Sequence, residues 1–400
     1  MTRRPIAIAG AGIGGLTAAI ALARAGFEVE ILERAHALEE AGAGVQLAAN
    51  ATRCLASLGL YERVAANAVT PTGFAVMDGR RGAAIAQAPM GAQAEARFGG
   101  PFIVIHRADL QAALLGAARE IAGITLHLDR AVEGFEAAAD GVSVHSHDGR
   151  TLQAQALIGA DGLRSRVRQH LRPGARPVFR HRAAWRATVP AHALPAALAT
   201  PVTRLWLGPG AHLVSYPVKS GTAINLVAVT PDERPVHGWS LEGAPDELLA
   251  HYRDWSPDAR ALLGAPERWL RWALFDLDPM PAWGQSTEPG AGTGPVTLLG
   301  DAAHAMPPFL AQGAAQAIED AVVLARCLKD APDASAALAR YEGLRLSRTA
   351  AVQRAARSMD RIYHLSGPAR MARDLVMRAR AGSALLERYR WIYGWSAETA

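Results

Sequence analysis

The run Gly10-Ala11-Gly12-Ile13-Gly14-Gly15 constrains this chain more than any other stretch. It follows a short apolar segment, Ile6-Ala7-Ile8-Ala9, and precedes Leu16 to Arg24, which is rich in helix formers and stops before Gly26. Four apolar residues bounded by glycine read as a buried parallel strand, and the segment after them as a helix closed by a glycine C-cap. A second strand, Glu28 to Leu32, then runs into Glu33. Strand, glycine loop, helix, strand and acid occur in the order of a βαβ unit built to hold a dinucleotide. Gly10 permits the tight turn, Gly12 lets a pyrophosphate approach the backbone, Gly14 continues the loop, and Gly15 lets helix and strand pack closely. The helix N-terminus offers free N–H donors and positive dipole to the phosphates. Glu33 would accept hydrogen bonds from the adenosine ribose. Arg34 could serve a 2′-phosphate, but Glu33 would repel one, so FAD or NAD is favoured over NADP.

Composition narrows the class. With 400 residues, half of them hydrophobic and a fifth charged, the chain has enough material for two or three cores or one large interleaved fold. Its formal net charge is +5, yet Lys219 and Lys329 are its only lysines and the arginines are scattered. No basic run interleaved with aromatics appears, so nucleic-acid binding is not expected. Cys54 and Cys327 are too few for a disulfide framework, which fits a reducing, cytoplasmic compartment. Arg3-Arg4 and the uncharged stretch after it resemble a signal peptide or membrane span, but the glycine loop explains that stretch better. No membrane association is expected.

Further along, the pattern predicts an α/β (α+β mixed) chain. A Rossmann-like cofactor domain is assembled from residues 1–70, 101–175 and 276–335. A β-rich substrate domain takes 71–100 and 176–275, and 336–400 forms a helical C-terminal segment. Two further apolar strands end in acids: Ala156 to Ala160 runs into Asp161-Gly162, and Val296 to Leu299 into Gly300-Asp301. A buried strand ending in an acid at a loop presents a carboxylate at the ligand edge of a sheet. In the β-rich part, His212, Val214 and Tyr216 share one strand face because strand side chains alternate. His127, His145 and His147 lack metal-ligand spacing and read as surface histidines, and no metal site is expected.

Taken together, the glycine loop, Asp161-Gly162 and Gly300-Asp301 resemble the single-component flavin-dependent aromatic hydroxylases of the para-hydroxybenzoate hydroxylase fold. The resemblance spans most of the chain, with the motifs in family order. Trp206 to Gly210, His212 to Pro217 and the Gly313 to Asp320 segment are most similar to the salicylate and 3-hydroxybenzoate hydroxylase branch. The resemblance implies that Gly10, Gly12, Gly15 and Glu33 hold the ADP half of FAD and that Arg107 contacts the flavin. It implies a link of Asp161 to both FAD and the nicotinamide donor, and a bond from Asp301 to the ribityl chain. Pro308 would lie beside the flavin ring, and Gly313, Ala314 and Ala315 would open a helix aimed at the flavin's N1 and C2 carbonyl. Negative charge on reduced flavin would be stabilised there by backbone N–H groups and the helix dipole.

The implied activity is hydroxylation of a small aromatic substrate, a phenolic or N-heteroaromatic acid such as salicylate or 3-hydroxybenzoate, through a flavin hydroperoxide. NADH or NADPH and O2 would be co-substrates and the enzyme a monomer or homodimer acting in aromatic compound catabolism. His212 and Tyr216 are the candidates for substrate orientation or acid–base help. Two departures from the family pattern stand out. Leu277 occupies a place where relatives often carry an arginine, and Met306-Pro307-Pro308-Phe309 offers only apolar side chains; both leave room for a bulkier or less acidic substrate. The alternatives are a flavin reductase or halogenase on the same fold, a quinone-pathway hydroxylase, and a non-catalytic dinucleotide-binding redox regulator. The halogenase lacks support because the expected tryptophan-rich segment and catalytic lysine are missing.

Overall fold

The structure, a computed structural model, describes residues 4–38, 43–138, 141–235, 241–284 and 294–397. Ile6–Ala9 is the centre of a five-stranded parallel sheet. Val29–Leu32 and Ala156–Gly159 flank it, and Ile124–His127 and Val296–Leu298 form the edges. All four residues of the central strand are buried, as a parallel strand covered on both faces requires. Helix Ile13–Arg24 follows the glycine loop, packs against helix Gly313–Asp330, and ends with Gly26 at a φ of +92°. Ile6–Ala9, Ala156–Gly159 and Val296–Leu298 run side by side in the same direction, so their carboxyl ends meet at one edge. Three motifs far apart in sequence are thereby gathered there.

An eight-stranded sheet forms the second body, in the order Leu241–Gly243, Trp269–Asp276, Val178–Pro190, Ala223–Pro231, Ala211–Val218, Val202–Gly208, Gly73–Asp78 and Ala84–Pro89. It is antiparallel except where Val202–Gly208 runs parallel to Gly73–Asp78. The reading of 176–275 as strands and short turns missed two helices, Pro245–Ala250 and Pro257–Gly264. Both start with proline, whose missing N–H costs nothing in a first turn, and the Ser256 side chain accepts the Ala259 N–H. They cover one face of the sheet, where Leu248, Tyr252, Trp255 and Leu262 join Trp185, Trp206 and Trp269 in one buried cluster.

The other face carries the C-terminal helices. Ala334–Tyr363 and Gly367–Ala379 contribute Ala356, Met359, Tyr363 and Met377 to a cluster with Leu205, Val229 and Leu274. Beneath the cofactor-side sheet, the 30-residue helix Ala334–Tyr363 sends Arg345 into a buried charge network. Arg345 Nε lies 2.7 Å from Asp320 Oδ1, and its Nη1 lies 2.6 Å from Glu319 Oε2. Asp320 Oδ2 accepts the Gly300 N–H at 3.0 Å and lies 2.6 Å from His304 Nε2. Burial alone would raise the Asp320 carboxyl, but His304 and Arg345 outweigh it and hold the group at about 2. This network fixes the Gly300-Asp301 turn from below.

Cys54 and Cys327 are free and buried, and burial pushes the Cys54 thiol up to about 12, so neither is placed as a reagent. Among the described residues, no helix is long and apolar enough to cross a membrane, and no three metal-ligating side chains cluster.

Candidate active site

At the shared carboxyl edge lies a cleft of about 450 Å³, bounded by the glycine loop, the face of the eight-stranded sheet and the C-terminal helices. That size falls within the range of small-molecule sites. Gly12, Ile13, Gly14, Ala160, Gly162, Gly300, Asp301, Gly313 and Ala314 line its cofactor side.

The glycines separate by what a side chain would meet. Gly10 has a φ of +100°, and a Cβ there would lie 2.6 Å from the Ala160 carbonyl oxygen. A Cβ on Gly15 would collide with the Gly10 carbonyl oxygen, so this glycine serves packing of helix on loop. Gly12 has no atom within 4 Å of a built Cβ; the protein leaves that space open on the cleft side. Glu33 sits half-buried at the end of its strand. Its Oε2 accepts the Ala11 N–H at 2.7 Å and its Oε1 the Ala35 N–H at 2.9 Å, so it braces the loop and still has acceptor capacity. Arg34 is exposed beside it.

Asp301 is exposed and lines the cleft. Helix Gly313–Asp330 begins at the cleft with Gly313 and Ala314, while Ala315 is buried behind them. Neither this helix nor Ile13–Arg24 has a side-chain cap among the described residues, which leaves first-turn N–H groups to serve a ligand. Arg107 also lines the cleft, at the start of helix Arg107–Arg119.

Asp161 departs from the simplest picture. Its Oδ2 accepts the N–H groups of Arg166, at 2.7 Å, and Val167, at 3.2 Å, capping a short helix, while Gly162 and not Asp161 faces the cleft. Its Oδ1 is buried without a hydrogen-bond partner among the described residues, and burial raises the carboxyl above its ordinary value.

The substrate side is more apolar. Phe74, Val76, Leu205, Val214, Val227, Leu274, Met306, Pro308 and Phe309 form its walls, so the expected apolar character of the 306–309 stretch is found. Leu277 lies outside the lining. Its N–H donates to the Ala305 carbonyl at 3.0 Å, and its own carbonyl accepts from Gln353 at 2.9 Å and Arg357 at 2.7 Å.

His212, Val214 and Tyr216 share one strand face, as alternation predicted, and that face lines the cleft. Burial first, then the neighbouring His364, push the His212 imidazole well below its ordinary range, so the ring is neutral near pH 7. Its Nδ1 is 2.8 Å from His364 Nε2, which leaves Nε2 for the cleft. Burial pushes the Tyr216 hydroxyl up, so it stays protonated and can donate.

Arg186, which the sequence reading did not single out, also lines the cleft. Its guanidinium stacks 3.9 Å over the Trp272 ring. Among the described residues it has no carboxylate partner, and its Nε has no hydrogen-bond partner. Burial pushes it down to about 10, which still leaves a cation at neutral pH. The only sequence signal was a charged residue inside a run of strand-forming ones, Trp185-Arg186-Ala187.

A glycine cradle open at Gly12, two helix N-termini without side-chain caps and an exposed acid at a shared sheet edge define a dinucleotide-binding protein, and these residues fit FAD. The chain matches the FAD binding domain family over residues 3–356. It is 35% identical to a 3-hydroxybenzoate 6-hydroxylase of Polaromonas naphthalenivorans, covering 98% of this chain and 96% of that protein. It is 40% identical to the 3-amino-4-hydroxybenzoate 2-monooxygenase PtnB3 of Streptomyces platensis, covering 99% and 97%. Among solved structures, Klebsiella pneumoniae HpxO complexed with FAD and uric acid matches with a TM-score of 0.82 at 27% identity, covering 99% of this chain and 97% of that one. A salicylate hydroxylase substrate complex matches with a TM-score of 0.82 at 25% identity, covering 100% and 97%. The chain belongs to the family of FAD-dependent aromatic hydroxylases.

Proposed function

We propose that this hydroxylase acts on a small aromatic acid bearing a phenolic hydroxyl, with NADH or NADPH as electron donor and O2 as oxygen source. One observation carries the acid: Arg186 is a half-buried cation lining an apolar cleft, its Nε covered and, among the described residues, with no carboxylate partner. Partial desolvation of an unpaired charge is unfavourable, so a bound anion is its natural partner. The carboxylates of the substrates named in the relatives, 3-hydroxybenzoate and 3-amino-4-hydroxybenzoate, have that chemistry. Arg186 thus offsets the apolar 306–309 stretch, which by itself favoured a less acidic ligand.

In this reading Gly10, Gly12, Gly14, Gly15 and Glu33 hold the ADP half of FAD, and Asp301, Arg107 and Gly313 to Ala315 hold its flavin half. Pro308 borders the ring, Asp161 supports the loop between the cofactor sites, and Arg34 stays at the rim. The glycine loop would supply backbone donors to the diphosphate and the helix beginning at Gly313 a positive dipole end. Bound FAD supplies electron transfer from the nicotinamide and activation of O2. The remaining work falls to the chain. Arg186 and the protonated Tyr216 orient the acid, and the apolar walls exclude water. Neutral His212 accepts the phenol proton at Nε2, which makes the ring more electron-rich. The 71–100 and 176–275 segments form the substrate-side domain over the cofactor domain, with 336–400 closing the far wall. The buried free cysteines and the nicotinamide donor fit a cytoplasmic enzyme, working as a monomer or homodimer.

The test is the perturbation of bound-flavin absorbance on titration with 3-hydroxybenzoate, 3-hydroxybenzamide and phenol. The acid should bind much more tightly than the two neutral compounds. Equal binding of all three removes the role given to Arg186 and with it the acid substrate.

A further inference from the structure

His212 is the inner end of a chain of groups that reaches solvent. Its Nδ1 lies 2.8 Å from His364 Nε2, with ring centroids 5.0 Å apart. His364 Nδ1 lies 3.0 Å from Asp360 Oδ1, one helical turn back on Ala334–Tyr363 and its flank, at ion-pair distance but without hydrogen-bond alignment. Asp360 Oδ1 also takes Arg182 Nε at 3.0 Å. The side chain of His364 is 4% exposed and that of Asp360 is 30% exposed, so the line runs from a closed interior to water.

Nothing in packing alone calls for such a line. Two neutral imidazoles in series, buried among Phe309 and Tyr363, cost desolvation that apolar side chains would avoid. The other groups around them are fixed. Arg182 Nη1 donates to the Gly210 carbonyl, the Tyr252 hydroxyl donates to the His212 carbonyl, and Arg373 donates to the Tyr363 carbonyl while pairing with Asp374. None of these can accept a proton from His212, which leaves His364 as its exit.

We propose that His364 and Asp360 form a proton path that carries the substrate hydroxyl proton from His212 to solvent and returns one to the product. The inference rests on the phenolic-substrate reading above. In the resting state His212 and His364 each carry their proton on Nδ1, the tautomers that let Nδ1–H of the first donate to Nε2 of the second and place Nδ1–H of the second beside the carboxylate, where a small turn of the ring aligns it for transfer. When the phenol is deprotonated, its O–H bond breaks and the electron pair stays on oxygen. A new N–H forms at His212 Nε2, the His212 Nδ1 proton moves to His364 Nε2, and the His364 Nδ1 proton moves to Asp360, which releases it to water. The reverse series protonates the product and restores both tautomers. His364 and Asp360 never touch substrate; they are positioning residues acting through His212.

The test uses FAD-loaded protein mixed with 3-hydroxybenzoate without oxygen in weak buffer, with a pH-indicator dye following proton release. The variants are His364→Gln, which keeps a polar contact to His212 but cannot pass a proton, and Asp360→Asn, which keeps the shape of the exit. Both should retain FAD and bind the probe with unchanged affinity. Proton release should slow by about 10²-fold in His364→Gln, the lower end of what a positioned proton-transfer group contributes. Added imidazole buffer should restore part of the rate. Asp360→Asn should show the same pattern less strongly. Release at the wild-type rate in FAD-containing His364→Gln and Asp360→Asn overturns the path while leaving the hydroxylase reading intact. Wild-type protein that binds the probe without releasing a proton overturns the path and the base role of His212 together. Wild-type protein that binds neither this acid nor 3-amino-4-hydroxybenzoate overturns the substrate reading on which the path rests.

Discussion

Replacing Gly12 with alanine should separate cofactor binding from folding, and replacing Gly15 should not. Gly12 has φ −71° and ψ −177°, a conformation open to any residue, and a Cβ there meets no protein atom within 4 Å. In the apoprotein two small terms oppose one another. Reduced freedom of the unfolded chain stabilises by about 0.4–1 kcal/mol, and alanine is a poorer N-cap than glycine by a comparable amount. Apoprotein stability to urea should therefore stay within about 1 kcal/mol of wild type. The new methyl group instead fills the space a diphosphate needs. Losing one hydrogen bond to a charged group costs about 1.5–3 kcal/mol. That converts to roughly 10- to 100-fold weaker FAD binding, read by fluorescence titration. In Gly15→Ala the Cβ collides with the Gly10 carbonyl oxygen, a backbone atom that cannot swing away. Overpacking of that kind costs about 1–3 kcal/mol, so the apoprotein itself should weaken. If Gly12→Ala binds FAD as tightly as wild type, or destabilises the apoprotein as much as Gly15→Ala, the division of labour in the loop is wrong.

Arg186→Met should weaken binding of 3-hydroxybenzoate by about 10- to 100-fold through loss of a charge-assisted bond, without affecting phenol. Its apoprotein should be no less stable than wild type, because a half-buried cation without a carboxylate partner among the described residues has been removed. Arg345→Met should destabilise the protein by about 3–5 kcal/mol, since the buried Asp320 would lose its arginine and keep only His304, while Glu319 would keep only Arg348. The network also sets acid stability. The folded Asp320 carboxyl, at about 2, lies below its unfolded value, so its contribution is complete above about pH 4 and is lost as pH falls toward 2. Urea midpoints measured from pH 5 down to pH 2 should show this decline, and a flat profile would mean that Asp320 does not contribute to acid stability.

What could be read from the sequence was what is local. The glycine loop, its flanking strands and helix, and the strand-end acids each announce themselves within about ten to thirty residues, because turn geometry and period act at that range. The His212, Val214 and Tyr216 face followed from alternation alone. What stayed hidden depends on partners far along the chain. Glu319-Asp320 in the middle of the largely apolar helix Gly313–Asp330 demanded a cation, but Arg345 is one arginine among many on Ala334–Tyr363 and nothing local marks it. His364 looks like the end of a helix until the fold brings it to His212, 152 residues away in sequence. The Ser256-Pro257 start of a helix was legible in the sequence, because serine before proline is a helix N-terminal signal and no β-branched residue lies near it. Asp161 shows the opposite case: its place at a sheet edge was legible, but not that its Oδ2 would cap a helix.

Oxidation of NADH and NADPH by the FAD-loaded protein, with hydroxylated product counted against hydrogen peroxide, tests aromatic hydroxylation itself. Oxidation should rise on addition of an aromatic acid such as 3-hydroxybenzoate or 3-amino-4-hydroxybenzoate, and product should account for the nicotinamide consumed. Oxidation that no phenolic or N-heteroaromatic acid stimulates, or stimulation that yields only peroxide with every acid tried, would contradict it.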